Sequence, residues 1–274
     1  DQMAMGGMYD QVGGGFHRYS TDAKWLIPHF EKMLYDNGQL ARVYARAYEL
    51  TDDPFYAEVT REILEYVLRE MLDAQGGFHS AQDAEVNHRE GQNYLWMPDE
   101  VSTTLTAAGR ADLVDTVFAA YGLNAQANFR DPHHRDEPAR HVLHLVSRPD
   151  VVAAGLGLEV DVFNQQLAEA NAILLVERDT RDQPSLDDKV LAAWNGLMIT
   201  GFAEGGRVLG EQRFIDAAAR AADFILEDMV DEDGNLQRSW RNGSSGTNAF
   251  LEDYAFMIQG LLALHAASGD PVRL

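Results

Sequence analysis

An all-α fold made of repeated helical hairpins, in which inner and outer helices alternate, is what this sequence predicts. Three observations carry the prediction: a hairpin-sized unit recurs, its two helices differ in polarity, and the connections alternate between short and long. The clearest copies run over 47–78 and 206–236, with a third beginning over 261–271. In each copy an apolar helix ends in a short turn, at Thr51-Asp52-Asp53, Gly210-Glu211-Gln212 and Ser268-Gly269-Asp270. A second helix then starts at Phe55 or Phe214, and a run through Met71 or Met229 leads to Gly77-Phe78 or Gly234-Asn235-Leu236. Phe55 to Phe78 is 23 residues and Phe214 to Leu236 is 22, and a fixed period of this size marks a stacked supersecondary unit.

Polarity assigns each helix to a layer. The helix predicted from Pro54 to Leu72 opens on Asp53 as N-cap with Pro54 at its first position, where a missing N–H costs nothing. The helix over Arg213–Val230 puts Phe214, Ala218, Ala221, Ile225 and Met229 on one stripe and turns Arg213, Asp216, Arg220, Asp223 and Glu227 away, so it belongs outside. The helix over Leu251–His265 has apolar residues at 251, 255, 258, 261, 262 and 264 and no charge after Asp253. Such a helix must be covered on most sides, which places it in the inner layer. Eight or nine helices are read in all.

A ring of such hairpins has two rims of unequal capacity. Inner-to-outer connections are a few residues long and leave little room for chemistry. The outer-to-inner connections, 14–32, 76–96 and 235–253, are long, glycine-rich and polar, and all emerge at the other rim. A ligand site is expected there, at the N-terminal ends of the inner helices, where unpaired N–H groups favour anionic or hydroxyl-rich ligands. Aligned on the second helix, Asp36 lies 19 residues before Phe55, Asn195 lies 19 before Phe214 and Asp253 lies 19 before Val272. Each has an aromatic neighbour, Tyr35, Trp194 and Tyr254. These residues read either as caps of inner helices or as the wall of a sugar-sized cup, and the two readings are compatible.

Composition bounds the partners. The chain has 274 residues, 46% of them hydrophobic, with 22 Lys plus Arg against 44 Asp plus Glu, for a net charge of −22. That field repels nucleic acid and anionic membrane. The absence of cysteine excludes disulfides, thiolate metal sites and thiol catalysis within this sequence. The longest apolar runs are too short and interrupted to span a bilayer, and no basic-then-apolar leader opens the sequence. One domain over 1–274, soluble and cytoplasmic, binding neither nucleic acid nor membrane, is the expectation. No phosphate-binding glycine motif is present, and no cofactor is expected. His133, His134, His141 and His144 lie in or beside a proline-broken loop without a third ligand, so no metal is expected either. The segment 128–140 reads as a mobile insertion.

Four blocks carry a family resemblance: DQVGGGFHRYSTDAKWLIPHFEKMLYDN, GGFHSAQDAE followed by EGQNYLW, SLDDKVLAAWNGLMI, and FLEDYAFMIQGLL. They resemble the signature blocks of the spermatogenesis-associated protein 20 family and cover nearly the whole chain in order. The resemblance implies an (α/α)6 toroid of the six-hairpin glycosidase type, similar to N-acylglucosamine 2-epimerase. Fewer helices are read here than six hairpins require, so the chain reads as part of such a ring. The family's N-terminal thioredoxin-like domain is not in this sequence, and it is implied only as a partner domain of a longer protein. Glu85 stands where the family block usually continues with Asp, and His79 where an aromatic is common.

Site candidates gather in the long connections. His29 and Glu31, placed at the start of the helix that carries Asp36, read as a general base and a ligand contact, or as a structural histidine and a helix-end charge. His17 and Arg18 follow three glycines, Gly13 to Gly15, and suit a carboxylate or hydroxyl. Trp25 reads as a sugar-stacking platform or a core wedge. Lys32, Tyr35 and Asn37 complete this cluster. Asp83, beside Gln82, reads as a loop carboxylate of the wall or a solvated one. Asp188 precedes Trp194 and Asn195, and Glu252 and Asp253 open the most apolar helix, where charge is costly unless partnered. Of these, His29, Asp36, Asp83, Asp188, Glu252 and Asp253 are the expected catalytic groups, and the others, with Tyr254, the expected contacts of a sugar or sugar-like ligand. Acid–base chemistry of the epimerase or glycosidase kind is the expected activity; a non-catalytic domain for carbohydrate binding or partner docking is the alternative.

Overall fold

The computed structural model describes residues 1–269, apart from the Ser245 side chain. The tail of the third copy, Asp270 to Leu274, with Val272 as the spacing reference for Asp253, lies outside the described residues. In chain order the helices are α1 (Gln2–Met5), α2 (Leu34–Thr51), α3 (Pro54–Glu70), α4 (Pro98–Ala107), α5 (Val114–Tyr121), α6 (Pro149–Leu156), α7 (Val160–Asp179), α8 (Ala192–Leu209), α9 (Gln212–Asp228) and α10 (Leu251–Ser268). No helix among the described residues is long and apolar enough to cross a membrane. The chain divides into two compact units, Asp1–Glu31 with Asp83–Ser185, and Lys32–Gln82 with Leu186 onward.

In the first unit α7 is the central support, packed against α4, α5 and α6. Two antiparallel strand pairs join Tyr19–Ser20 to Pro28–His29 and Glu85–Val86 to Arg89–Glu90. Between them lies an apolar cluster of Phe30, Ala84, Tyr94, Leu95 and Val142, with Ile27 and Phe129 against it. The 128–140 segment, expected to be mobile, is tied at both ends: Phe129 and Arg140 exchange backbone hydrogen bonds, Trp96 pairs with His141, and Asn128 makes a two-way bond with Val142.

The triple glycine serves an ion pair. Arg178 and Asp10 are both buried, with Arg178 Nη1 2.8 Å from each Asp10 oxygen. Asp10 Oδ1 also accepts from the N–H groups of Val12 and Gly13 at 3.1 and 3.0 Å. Gly14 and Gly15 adopt φ of 73° and 78°, a region that favours glycine, and a Cβ on Gly13 would strike the Arg178 guanidinium. The loop is bent so tightly in order to bring backbone donors to a buried carboxylate.

The second unit contains the predicted repeat. The α2–α3 and α8–α9 hairpins have their expected short turns, closed by left-handed Asp52 and Gly210. Asp53 caps α3 by accepting from Phe55 N at 3.0 Å, with Pro54 first in the helix. Its long connections meet in one antiparallel sheet, in the order Lys32–Met33, His79–Gln82, Leu186–Leu191, Ser239–Arg241, Ser244–Ser245. The first and third strands lead directly into α2 and α8, so these connections gather at one end of the unit's inner helices.

Glycine sets how closely those helices approach. A Cβ on Gly38 of α2 would lie 2.9 Å from Leu197 C and Met198 N of α8, and one on Gly196 of α8 would overlap the Phe256 backbone of α10. Gly196→Ala is therefore expected to push α8 and α10 apart and to cost roughly 1–3 kcal/mol. Chemical denaturation would register this as a lower midpoint. An unchanged midpoint would mean that the two helices are not held in this close packing.

Helix α10 is covered only along Asp253, Met257, Gly260 and Leu264, while Leu251 is 85% and Ile258 56% exposed. Its all-round apolar pattern predicts a helix covered on most sides; among the described residues only α8 and α9 make substantial contacts with it.

Candidate functional site

The first unit assembles a histidine between two carboxylates. His29 does not start a helix, as expected, but sits in the Pro28–His29 strand, because Pro28 and the pairing with Tyr19–Ser20 hold this stretch extended. Its Nδ1 lies 2.6 Å from Glu90 Oε1, and its Nε2 lies 3.6 Å from Glu31 Oε2. Glu31, likewise outside the helix, is held by Arg18 Nη1 at 2.8 Å, and Tyr19 stacks on the imidazole with ring centroids 4.9 Å apart. Glu90 Oε1 also accepts from Phe30 N at 3.3 Å. A carboxylate only accepts, so Nδ1 is the donor to Glu90, and in the neutral ring Nε2 is the acceptor. The His29 side chain is 27% exposed, enough to meet a ligand.

The loop before His29 is organised by Asp22. Its carboxylate accepts from Lys24 N at 2.5 Å, Ile27 N at 2.7 Å and Leu26 N at 3.3 Å. Burial raises its pKa, and these N–H groups, with Lys24, more than offset that, so it lies below the ordinary carboxylate range. A depressed folded pKa stabilises at pH above the unfolded value, about 3.9, and the contribution is lost as pH falls through the folded value. Asp22→Ala should accordingly melt below the parent at pH 7, with the gap closing below about pH 4; a gap independent of pH would rule out this role. The turn holds Trp25 at φ 62°, 41% exposed.

The other candidates of this unit are differently placed. His17 is buried, with Nδ1 2.8 Å from Phe30 O and its ring edge-on to Tyr94. Asp83 is exposed and accepts from Glu85 N and Ser185 Oγ, both at 3.2 Å.

In the second unit most candidates serve as joints. Lys32 is fully buried, its Nζ 4.2 Å over the Tyr66 ring, while Tyr66 donates to Gln82 Oε1 at 2.7 Å. Asn195 donates to Phe78 O and Leu191 O, both at 3.0 Å, and accepts from Phe78 N at 2.8 Å. Asn37 makes the matching bond from α2, donating to Met33 O at 3.0 Å. By hydrogen bonding, Asn37 rather than Asp36 is therefore the counterpart of Asn195. The recurring Asn-Gly pair, Asn37-Gly38 and Asn195-Gly196, is the sequence signal for this register. Asp36 is half-buried in the first turn of α2, and its neighbour Tyr35 meets Trp194 edge-to-face at 4.8 Å.

Asp253 is fully buried and engaged on both oxygens, by Ala193 N at 3.1 Å, Phe250 N at 2.9 Å and Arg238 Nη1 at 3.1 Å. Glu252 shares Arg238 at 2.8 Å, Asp188 pairs with Arg241 at 2.5 Å, and the Tyr254 hydroxyl accepts from Leu236 N at 3.1 Å. The strands and helix starts thus gather Lys32, Gln82, Asn37, Asn195, Asp188 and Asp253 in this unit. His17, Arg18, Trp25, His29, Glu31 and Asp83 belong to the other. The group missing from the sequence reading is Tyr19, whose strand pairs with that of His29 and whose ring stacks on it.

Comparison with known proteins follows the same division between architecture and chemistry. Spermatogenesis-associated protein 20 of Homo sapiens is 40% identical over 99% of this chain, and that of Mus musculus is 40% identical over 98%. The chain is similar to spermatogenesis-associated protein 20 over nearly its whole length. It spans about 37% of the length of these curated relatives. No family model matches. Among solved structures, cellobiose 2-epimerase from Bacillus thermoamylovorans B4167 superposes with a TM-score of 0.54 at 10% identity, covering 97% of this chain and 47% of that one. The chain therefore has the (α/α)6 toroid fold class that its sequence blocks imply, and at that identity the likeness concerns fold alone.

Proposed function

We propose that this chain is a carbohydrate-active domain in which His29 transfers a proton at the carbon beside the carbonyl of an open-chain sugar. The His29–Glu90 contact at 2.6 Å carries the reading. Glu90 fixes the Nδ1–H tautomer, which leaves Nε2 as acceptor on a partly exposed ring. In the proposed step the C2–H bond breaks, its proton goes to Nε2, and its electron pair delocalises into the carbonyl as an enediolate. Return of a proton to C2 gives exchange, or epimerisation if it arrives on the opposite face. A fold shared with a cellobiose 2-epimerase supports the substrate class without establishing it.

A binding-only domain is the second reading. It is favoured by the engagement of Asn195, whose polar atoms are spent on backbone groups, and of Asp253, which is held by backbone N–H groups and Arg238. The test is proton NMR of D-glucose, D-mannose and cellobiose with the protein in D2O. Loss of the C2 proton signal supports proton transfer, new reducing ends would replace it with a hydrolase, and binding without either would select the second reading.

A further inference from the structure

The first unit contains an open cleft between the Arg89–Leu95 stretch and the Phe129–Arg140 segment. Glu90 lines it, so the cleft adjoins the carboxylate that orients His29. Leu95 and Phe129 give it an apolar wall. Most of its charges are already matched: Arg89 with Glu137, Asp131 with His134 at 2.9 Å, and Glu90 with His29.

Two groups on the lining are not matched. Gln92 Oε1 is buried and has no hydrogen-bond partner, which is costly for an acceptor unless a ligand supplies a donor. Arg140 is anchored through its backbone to Phe129, yet among the described residues its guanidinium has no ion pair or hydrogen bond, whereas nearby Arg178 and Arg181 pair with Asp10 and Glu100. A chain with 44 acidic against 22 basic residues has ample acids to pair an arginine, so a cation left open beside a pocket points to an anionic ligand.

We propose that this cleft binds a sugar acid, its carboxylate on Arg140 and a hydroxyl donating to Gln92 Oε1, with the sugar's C–H face against Phe129. The assignment rests on the carbohydrate reading above and narrows it to an acidic sugar. Isothermal titration calorimetry with D-glucuronate, D-glucose and acetate tests it. Glucuronate should bind at least about 10-fold more tightly than either glucose or acetate, because only it offers both charge and hydroxyls. Arg140→Gln should weaken glucuronate binding by about 10-fold or more, Arg140→Lys should retain part of it, and Gln92→Leu should weaken both acid and neutral sugar. Equal affinity for glucose, equal affinity for acetate, or an Arg140→Gln variant that melts like the parent and binds unchanged would each overturn the proposal. The two readings fail separately. Glucuronate bound without C2 exchange leaves this one standing, whereas C2 exchange of neutral sugars unaffected by Arg140→Gln leaves only the proton-transfer reading.

Discussion

Replacing His29 with Gln is expected to lower the rate of C2 proton exchange by about 10²–10⁴-fold, the usual contribution of a positioned proton-transfer group. Glutamine preserves the length and an N–H donor for Glu90 but has no basic nitrogen, so binding should change little while turnover falls. Glu90→Gln should act through the imidazole: an amide can donate as well as accept, which releases the Nδ1–H tautomer now fixed at 2.6 Å. A loss of about 10²-fold in turnover with unchanged KM is the expected signature of that positioning role. NMR line integrals over time in D2O give both numbers. If His29→Gln exchanges as fast as the parent, the base lies elsewhere and the Glu31–His29–Glu90 array is a structural clasp.

Asp10→Ala is the substitution expected to be most destabilising. It removes the carboxylate whose two oxygens both accept from Nη1 of buried Arg178, and it takes the acceptor from the Val12 and Gly13 N–H groups. Breaking such a buried pair from one side costs about 3–5 kcal/mol. Asp10→Ala with Arg178→Met should recover much of that loss, because the methionine removes the stranded charge while keeping apolar volume. Denaturant melts of both variants decide the matter. A single variant as stable as the parent would show that water reaches Arg178 and that the glycine loop has another purpose.

The same glycine loop shows where sequence reasoning stops. Three consecutive glycines beside His17 and Arg18 announce a backbone in unusual conformation, and the structure has it in Gly14 and Gly15. What the loop wraps is not local information: Arg178 lies more than a hundred and sixty residues away on α7. The expected ligand cradle is an ion-pair socket because the partner arrives through tertiary packing. Asp253 teaches a related lesson. Its place at the start of an apolar helix marks a charge that needs partners, and the partners are Ala193 N and Arg238. The repeat spacing found the right turn of each inner helix but misjudged the register by one residue at Asp36, since helices of different cap length need not align on their second-helix phenylalanine.

By itself the sequence determined the helical hairpins, their short turns, the Asp53-Pro54 helix start and the gathering of the second unit's long connections, because periodicity, capping and loop length are local properties of the chain. The family blocks were equally legible, being contiguous. Only tertiary structure decided that His29 sits on a strand between Glu31 and Glu90, and that Gln92 and Arg140 face one cleft. Those pairings bring together residues up to sixty-one positions apart. A single sequence encodes hydrogen-bond capacity at every residue but not which distant residue will satisfy it.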